Sequence, residues 1–253
     1  MKPQQALMSF HVVIPARLAS QRLPGKVLRP IAGRPMIAHV IAAARASRAA
    51  GVWVATDDDD VAHVAREAGA EVVMTRADHV CGSDRIAEAV AILGLDATAI
   101  VVNVQADEPM MPAALIDQVG AELARDTEAG IATAATPITD DEAWHNPNVV
   151  KVVAAGGRAL YFSRASIPYE RDSANADFSA GRRHLGIYAY RVAALTRFAA
   201  AAPGALEQRE SLEQLRAFEL GVPIALVEAV ALPGPGVDTE ADLIEVEYRM
   251  QQQ

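Results

Sequence analysis

The chain has 253 residues, is 51% apolar and carries a formal net charge of −9. Its length fits one large α/β domain or two small ones, and its acidity argues against a nucleic-acid binder, which needs a basic face. The single cysteine, Cys81, excludes an intrachain disulfide and a Cys-rich zinc site, and fits a reducing compartment.

The N-terminal stretch MKPQQALMSFHVVIPAR has one Lys and no long apolar core, unlike a signal peptide. Met8 reads as an alternative start, which makes residues 1–8 a flexible extension. No run approaches the ~18 apolar residues of a membrane helix, so a cytoplasmic protein without a membrane partner is expected.

Short apolar runs then alternate with helical patterns. Strands are expected at residues 10–14, 52–55, 71–74, 100–104 and 131–137. Helices are expected at 35–49, 61–68, 84–93 and 113–125, with Ser83 or Gly82 capping the third. This alternation argues for a parallel sheet covered on both faces, whose ligands sit beyond the carboxyl ends of the strands. Residues 138–190 are less regular and read as an insertion with short strands, a polar loop around 173–181 and a subunit-interface role. A strand at 184–190, one strong helix near 206–220, a strand at 224–228 and a last helix at 239–250 complete the chain. The whole is read as a single domain.

The loop after the first strand, IPARLASQRLPGK, carries Arg17, Arg22 and Lys26. Residues 1–56 hold eight Lys or Arg and no acid, so the rest of the chain is strongly acidic. An acidic protein does not draw anions by its net field, which makes this loop the local device for a phosphate-rich ligand. The turn Pro24-Gly25-Lys26 permits close backbone approach, and two arginine forks match phosphate oxygens. Neither a Walker A loop nor a GxGxxG fingerprint is present.

Downstream, an apolar strand runs into Asn103-Val104-Gln105-Ala106-Asp107-Glu108-Pro109. A carboxylate at a strand end beside a polyphosphate is a natural Mg²⁺ ligand. Asp107 is the better candidate, with Glu108 turned back into the structure. Asp238, in GPGVDT just before the last helix, reads first as an N-cap and second as a metal carboxylate brought beside Asp107. His79 reads as an ordinary loop residue, and Asp57 to Asp60 as a solvated helix start. Arg164, His184, Tyr188, Tyr190, Glu213 and Gln214 offer cationic, aromatic and amide groups suited to an anionic, hydroxyl-rich acceptor, though each is also a plausible structural residue.

These strings resemble the 3-deoxy-manno-octulosonate (Kdo) cytidylyltransferases, also called CMP-Kdo synthetases. The matching segments are IPARLASQRLPGK, VATDD, MTRADHVCGSDR, VNVQADEP, NPNVVKVV, ALYFSRASIP, RHLGIYAYR, LEQLR and GVDT, spread from Phe10 to about Leu243. The resemblance implies a three-layer, mostly parallel, Rossmann-like α/β fold of the nucleotide-diphospho-sugar transferase type with an inserted dimerisation region. It also implies the reaction of CTP with Kdo, for lipopolysaccharide biosynthesis, in a homodimer that uses Mg²⁺. By position, Ala16, Arg17, Arg22, Lys26, Ser83, Arg85 and Gln105 would contact the nucleotide, and Arg164, His184, Tyr188, Glu213 and Gln214 the sugar acid. Asp107 and Asp238 would bind metal, and Arg17, Lys26, Asp107 and Asp238 would form the catalytic set. Two positions depart from the family pattern: Ala106 replaces a usual Gly, and Cys81 stands where Ser is common. A cytidylyltransferase for 8-amino-Kdo or a sialic acid, and a non-catalytic nucleotide-binding module, are the competing readings.

Overall fold

The run FHVVIP carries apolar side chains on both faces, as a strand inside a parallel sheet must. The computed structural model, which describes residues 9–20, 22–171 and 180–252, places it as β1 (Phe10–Pro15) inside a nine-stranded sheet. β1 lies between β4 (Gly51–Thr56) and β6 (Ile100–Asn103), parallel to both, and β5 (Glu71–Met74) extends this parallel half beyond β4.

The other half departs from a mostly parallel sheet. β10 (Arg182–Arg191) runs antiparallel to β6 on one side and to β7 (Ile131–Pro137) on the other. β11 (Ile224–Glu228) is parallel to β7, and the hairpin of β8 (Lys151–Ala155) and β9 (Arg158–Ser163) closes the edge. No helix is found between β9 and β10 among the described residues. The reversal comes earlier, at the β8–β9 hairpin, so β9 and β10 run in the same direction, opposite to β7.

Alternation along β1 divides the interior. Phe10, Val12 and Ile14 meet α1 (Met36–Ala46), α2 (Asp59–Glu67) and α4 (Ala113–Arg125). Val13 faces the side covered by α3 (Gly82–Ile92), α6 (Val192–Ala200) and α8 (Leu215–Glu219). A smaller cluster joins Leu23, Ile31, Met36, Val237, Leu243 and Val246. It ties the basic loop and the two-residue strands β2 (Pro30–Ile31) and β3 (Arg34–Pro35) to the C-terminal helix α9 (Glu240–Gln251).

Four expectations are corrected. The single helix near 206–220 is two short ones, α7 (Ala205–Glu210) and α8, separated where Ser211 adopts φ 50°. Nε and Nη2 of Arg164 donate to the carbonyls of Glu210 and Ser211, satisfying the end of α7 that the break exposes. The N-cap of α3 is Cys81, without a side-chain bond, rather than Gly82 or Ser83. The N-cap of α9 is Thr239, whose side chain accepts from Asp242 N, so Asp238 is not the cap. Helices α5 (Asp141–His145) and α6 were not anticipated; α6 follows β10 with no intervening Gly or Pro to announce it. The segments 1–8 and 172–179 lie outside the described residues, so the extension and most of the polar loop carry no structural statement.

Candidate active site

A cleft of about 440 Å³ opens over the carboxyl ends of β1 and β6. Pro15, Ala16 and Arg17 continue β1 into its floor, and the loop of Arg22 and Lys26 forms one wall. Ala16 is buried, with its N–H donating to Ala55 O at 2.9 Å, so the chain is pinned where it leaves the sheet. Beyond that point Arg17 is exposed and makes no hydrogen bond or ion pair among the described residues. Gln105 lies opposite and donates through Nε2 to Asn103 Oδ1 at 3.3 Å.

Lys26 is the hub. Its Nζ donates to Asp107 Oδ2 at 2.7 Å and to Asp238 Oδ1 at 3.0 Å, and Arg22 Nη2 lies 2.9 Å from the same Asp238 oxygen. Burial pushes the Lys26 ammonium pKa down, but the charges and hydrogen bonds of both carboxylates outweigh it, and the net shift is upward. The two aspartates are 131 positions apart, and backbone bonds sew their loops together. Val237 N donates to Asp107 O at 2.9 Å and Gly234 N to Met110 O at 3.3 Å. Glu108, expected to turn back into the structure, is a third carboxyl near Asp107, Asp238 and Lys26. Burial first, and then the Asp107 charge, push its pKa up to about 7. Ala106 is absent from the residues with positive φ, so its methyl is accommodated without backbone strain.

Two aspartate oxygens that share one ammonium also suit a shared divalent ion. Among the described residues no group of three His, Cys, Asp or Glu forms a metal cage by itself. The aspartate pair fits the donor preference of Mg²⁺, which takes one or two carboxylates and completes its shell with substrate phosphates and water.

Arg85 lines the cleft but is committed elsewhere: Nη2 pairs with Asp57 Oδ1 at 2.8 Å and Nη1 donates to Thr75 Oγ1 at 2.6 Å. Asp57 thus leaves the helix start to Asp58, whose side chain caps α2. His79 Nε2 contacts Glu88 Oε2 at 2.5 Å, and that contact holds the Glu88 carboxyl below its ordinary range.

The residues expected around the sugar acid form a second group. His184 and Tyr188 on β10 pack at a tilt with ring centroids 5.3 Å apart, and Tyr188 stands opposite Asn103, beside the strand end that carries Gln105. The register of the β10–β7 ladder shifts between them, at a bulge between Leu185 and Tyr188. Thr133 Oγ1 donates to Ile187 O at 2.7 Å, which uses its only proton, so at 3.0 Å His184 Nε2 must be the donor to Thr133. His184 Nδ1 is left as an acceptor. Burial pushes the His184 pKa down to about 3, so the ring is neutral. Glu213 accepts from Cys81 Sγ at 3.0 Å and from Ser83 Oγ at 3.2 Å, which links the two groups. Gln214 is buried at the start of α8. Arg164 also donates through Nη1 to Pro147 O at 2.9 Å, so Nε, Nη1 and Nη2 all serve backbone carbonyls.

A mixed α/β sheet whose carboxyl edge carries a basic loop facing two convergent carboxylates defines a nucleotidyltransferase. Residues 11–224 match the cytidylyltransferase family model. A 3-deoxy-manno-octulosonate cytidylyltransferase of Cellvibrio japonicus is 53% identical over 94% of this chain and 97% of its own. One of Hahella chejuensis is 53% identical over 95% and 97%. The solved structure of a CMP:2-keto-3-deoxy-manno-octonic acid synthetase complexed with CTP superposes with a TM-score of 0.89 at 41% identity, covering 96% of this chain and 99% of that one. This chain belongs to the 3-deoxy-manno-octulosonate cytidylyltransferase family. Among the described residues no helix is long and apolar enough to cross a membrane.

Proposed function

We propose that the cleft binds CTP with its triphosphate against Arg17, Arg22 and Lys26, and that the enzyme transfers CMP to Kdo with release of pyrophosphate. The observation that carries this reading is the convergence of Lys26, Asp107 and Asp238 at the mouth of a basic cleft. The anomeric hydroxyl oxygen of Kdo bonds to the α-phosphorus while the bond from that phosphorus to the α–β bridging oxygen breaks. The bridging oxygen leaves with pyrophosphate, and the hydroxyl proton is released.

Positioning and charge neutralisation supply most of the catalysis in such transfers. Arg17, which has no protein partner among the described residues, is the guanidinium most available to a phosphate. Lys26 and Arg22 exchange carboxylate partners for phosphate oxygens and balance the charge that grows on the leaving group. Asp107 and Asp238 would hold Mg²⁺, which when bound neutralises phosphate charge and lowers the pKa of the attacking hydroxyl. Gln105 and the segment of Ser83 and Arg85 line the nucleotide, with Arg85 acting through its grip on Asp57. Arg164, His184, Tyr188, Glu213 and Gln214 surround the sugar acid, where the free His184 Nδ1 accepts from a hydroxyl.

The insert at 138–190 forms the dimer contact in this reading. Leu160 and Tyr169, 57% and 86% exposed, are large apolar side chains on it that lack cover. Pyrophosphate release from CTP, Kdo and Mg²⁺, with UTP, ATP and GTP as nucleotide controls and a sialic acid and 8-amino-Kdo as acceptor controls, tests the assignment. Release with CTP and Kdo above all controls is expected; none with that pair overturns it. Sedimentation of wild type against a Leu160→Glu/Tyr169→Glu double variant tests the dimer contact.

A further inference from the structure

Cys81 and Ser83 flank Gly82, whose backbone is so close to the cleft floor that an added Cβ would lie 3.3 Å from Pro15 and 3.5 Å from Gln105. Both flanking side chains reach one carboxylate. The Cys81 thiol donates to Glu213 Oε1 at 3.0 Å and the Ser83 hydroxyl to Oε2 at 3.2 Å, across 132 and 130 positions of sequence. The terminal torsion of a Glu side chain is broad and poorly defined by its own rotamers. A donor on each oxygen removes that freedom.

Among the described residues no other side chain donates a hydrogen bond to the Glu213 carboxylate. Arg216 lies 3.9 Å from Glu213, but its short bonds, at 2.8 and 2.5 Å, go to Glu207. Glu213 also sits in the break between α7 and α8, where no regular helix face fixes its direction. Its side chain keeps 35% of its surface open, so a ligand can reach it while the two donors hold it.

We propose that Cys81 is a positioning residue for the sugar-acid pocket. With Ser83 it orients the Glu213 carboxylate toward the acceptor. This rests on the reading of Glu213 as a sugar-acid contact. A residue that only filled space at position 81 would disturb both substrates alike when truncated. A positioning residue disturbs the acceptor alone.

The test measures pyrophosphate release with Kdo varied at saturating CTP and with CTP varied at saturating Kdo, for Cys81→Ala, Cys81→Ser and Glu213→Gln. A thiol is a weak donor, so its loss ranks with that of an ordinary hydrogen bond and predicts that Cys81→Ala raises KM for Kdo about 5- to 10-fold, with KM for CTP and kcat held within about twofold. Cys81→Ser restores the Kdo KM, because a hydroxyl donates more strongly than a thiol. Calorimetric CTP binding without Kdo stays unchanged in both variants. Equal effects on the two KM values, or a Ser variant no better than Ala, overturn the proposal. If Glu213→Gln leaves KM for Kdo unchanged, the underlying assignment of Glu213 fails and the proposal with it. If Glu213→Gln raises that KM and Cys81→Ala does not, the positioning role of Cys81 alone is refuted.

Discussion

Replacing Lys26 by Met keeps the length of the side chain and removes its charge. The ammonium lies 2.7 Å from Asp107 and 3.0 Å from Asp238 on a side chain only 13% exposed. A bond to a charged group contributes about 1.5–3 kcal/mol when shielded. Asp238 is 48% exposed, so its share drops toward the surface value of at most about 1 kcal/mol. A loss of about 2–3 kcal/mol follows for the unliganded protein, or about 4–12 °C in melting temperature at this chain length. A second effect has the opposite sign. Without the ammonium, Asp107 and Asp238 face each other with Arg22 as the remaining paired cation, and Glu108 close by. Removing a unit charge from between two ligands should tighten Mn²⁺ or Mg²⁺ binding to the nucleotide-free protein by about tenfold or more. Turnover should fall about 100-fold, the scale of losing one transition-state donor. Because the folded Lys26 pKa is raised, its stabilisation is fully present below the ordinary value of 10.5 and is lost as pH climbs through the raised one. The melting difference between wild type and variant should therefore be flat from neutral pH to that limit. Scanning calorimetry, metal titration of nucleotide-free protein and pyrophosphate release measure the three effects. Unchanged turnover together with unchanged or weaker metal binding would refute the reasoning.

Other outcomes are equally direct. His184 stays neutral in the fold with its pKa near 3, while the unfolded chain takes up a proton below about 6.5, so stability drains away as pH falls through that window. His184→Gln should flatten the acid limb of a melting-temperature profile while raising KM for Kdo at neutral pH. A Cβ on Gly234 would lie 2.6 Å from Met110 Sδ and 2.7 Å from its Cβ. Gly234→Ala should thus part the loops of Asp107 and Asp238, raising the Mg²⁺ concentration needed for half-maximal turnover. Ala32 holds φ 47° beside Gly33 at φ 77° in the turn between β2 and β3. Ala32→Asn, which tolerates that region, should stabilise by about 0.5–1 kcal/mol in denaturant melts without touching turnover.

Much of the architecture was legible because local pattern and tertiary demand agreed. The strands at 71–74, 131–137 and 224–228 and the helix at 113–125 end where the apolar pattern ends. The cap of α9 was also readable, since Thr239 and Asp242 have the spacing of a capping box. The break at Ser211 was not readable. A local pattern favours one helix there, and the group that satisfies its exposed carbonyls, Arg164, is 47 positions away. Arg85 was legible as a cleft residue, but its pairing with Asp57 depends on α3 packing beside the end of β4.

The sequence by itself determined the parallel half of the sheet, the basic loop after its first strand and the candidacy of Asp107. Each follows from short-range composition: an apolar run, a stretch without acids, a carboxylate at a strand end. Tertiary structure alone decided that β10 runs backward through the sheet, that Lys26 bridges Asp107 and Asp238, and that Cys81 and Ser83 grip Glu213. Those contacts join residues 81 to 212 positions apart. No local propensity encodes such a meeting. It arises when apolar faces such as those of Leu23, Ile31 and Val237 bury one another and carry their polar neighbours along.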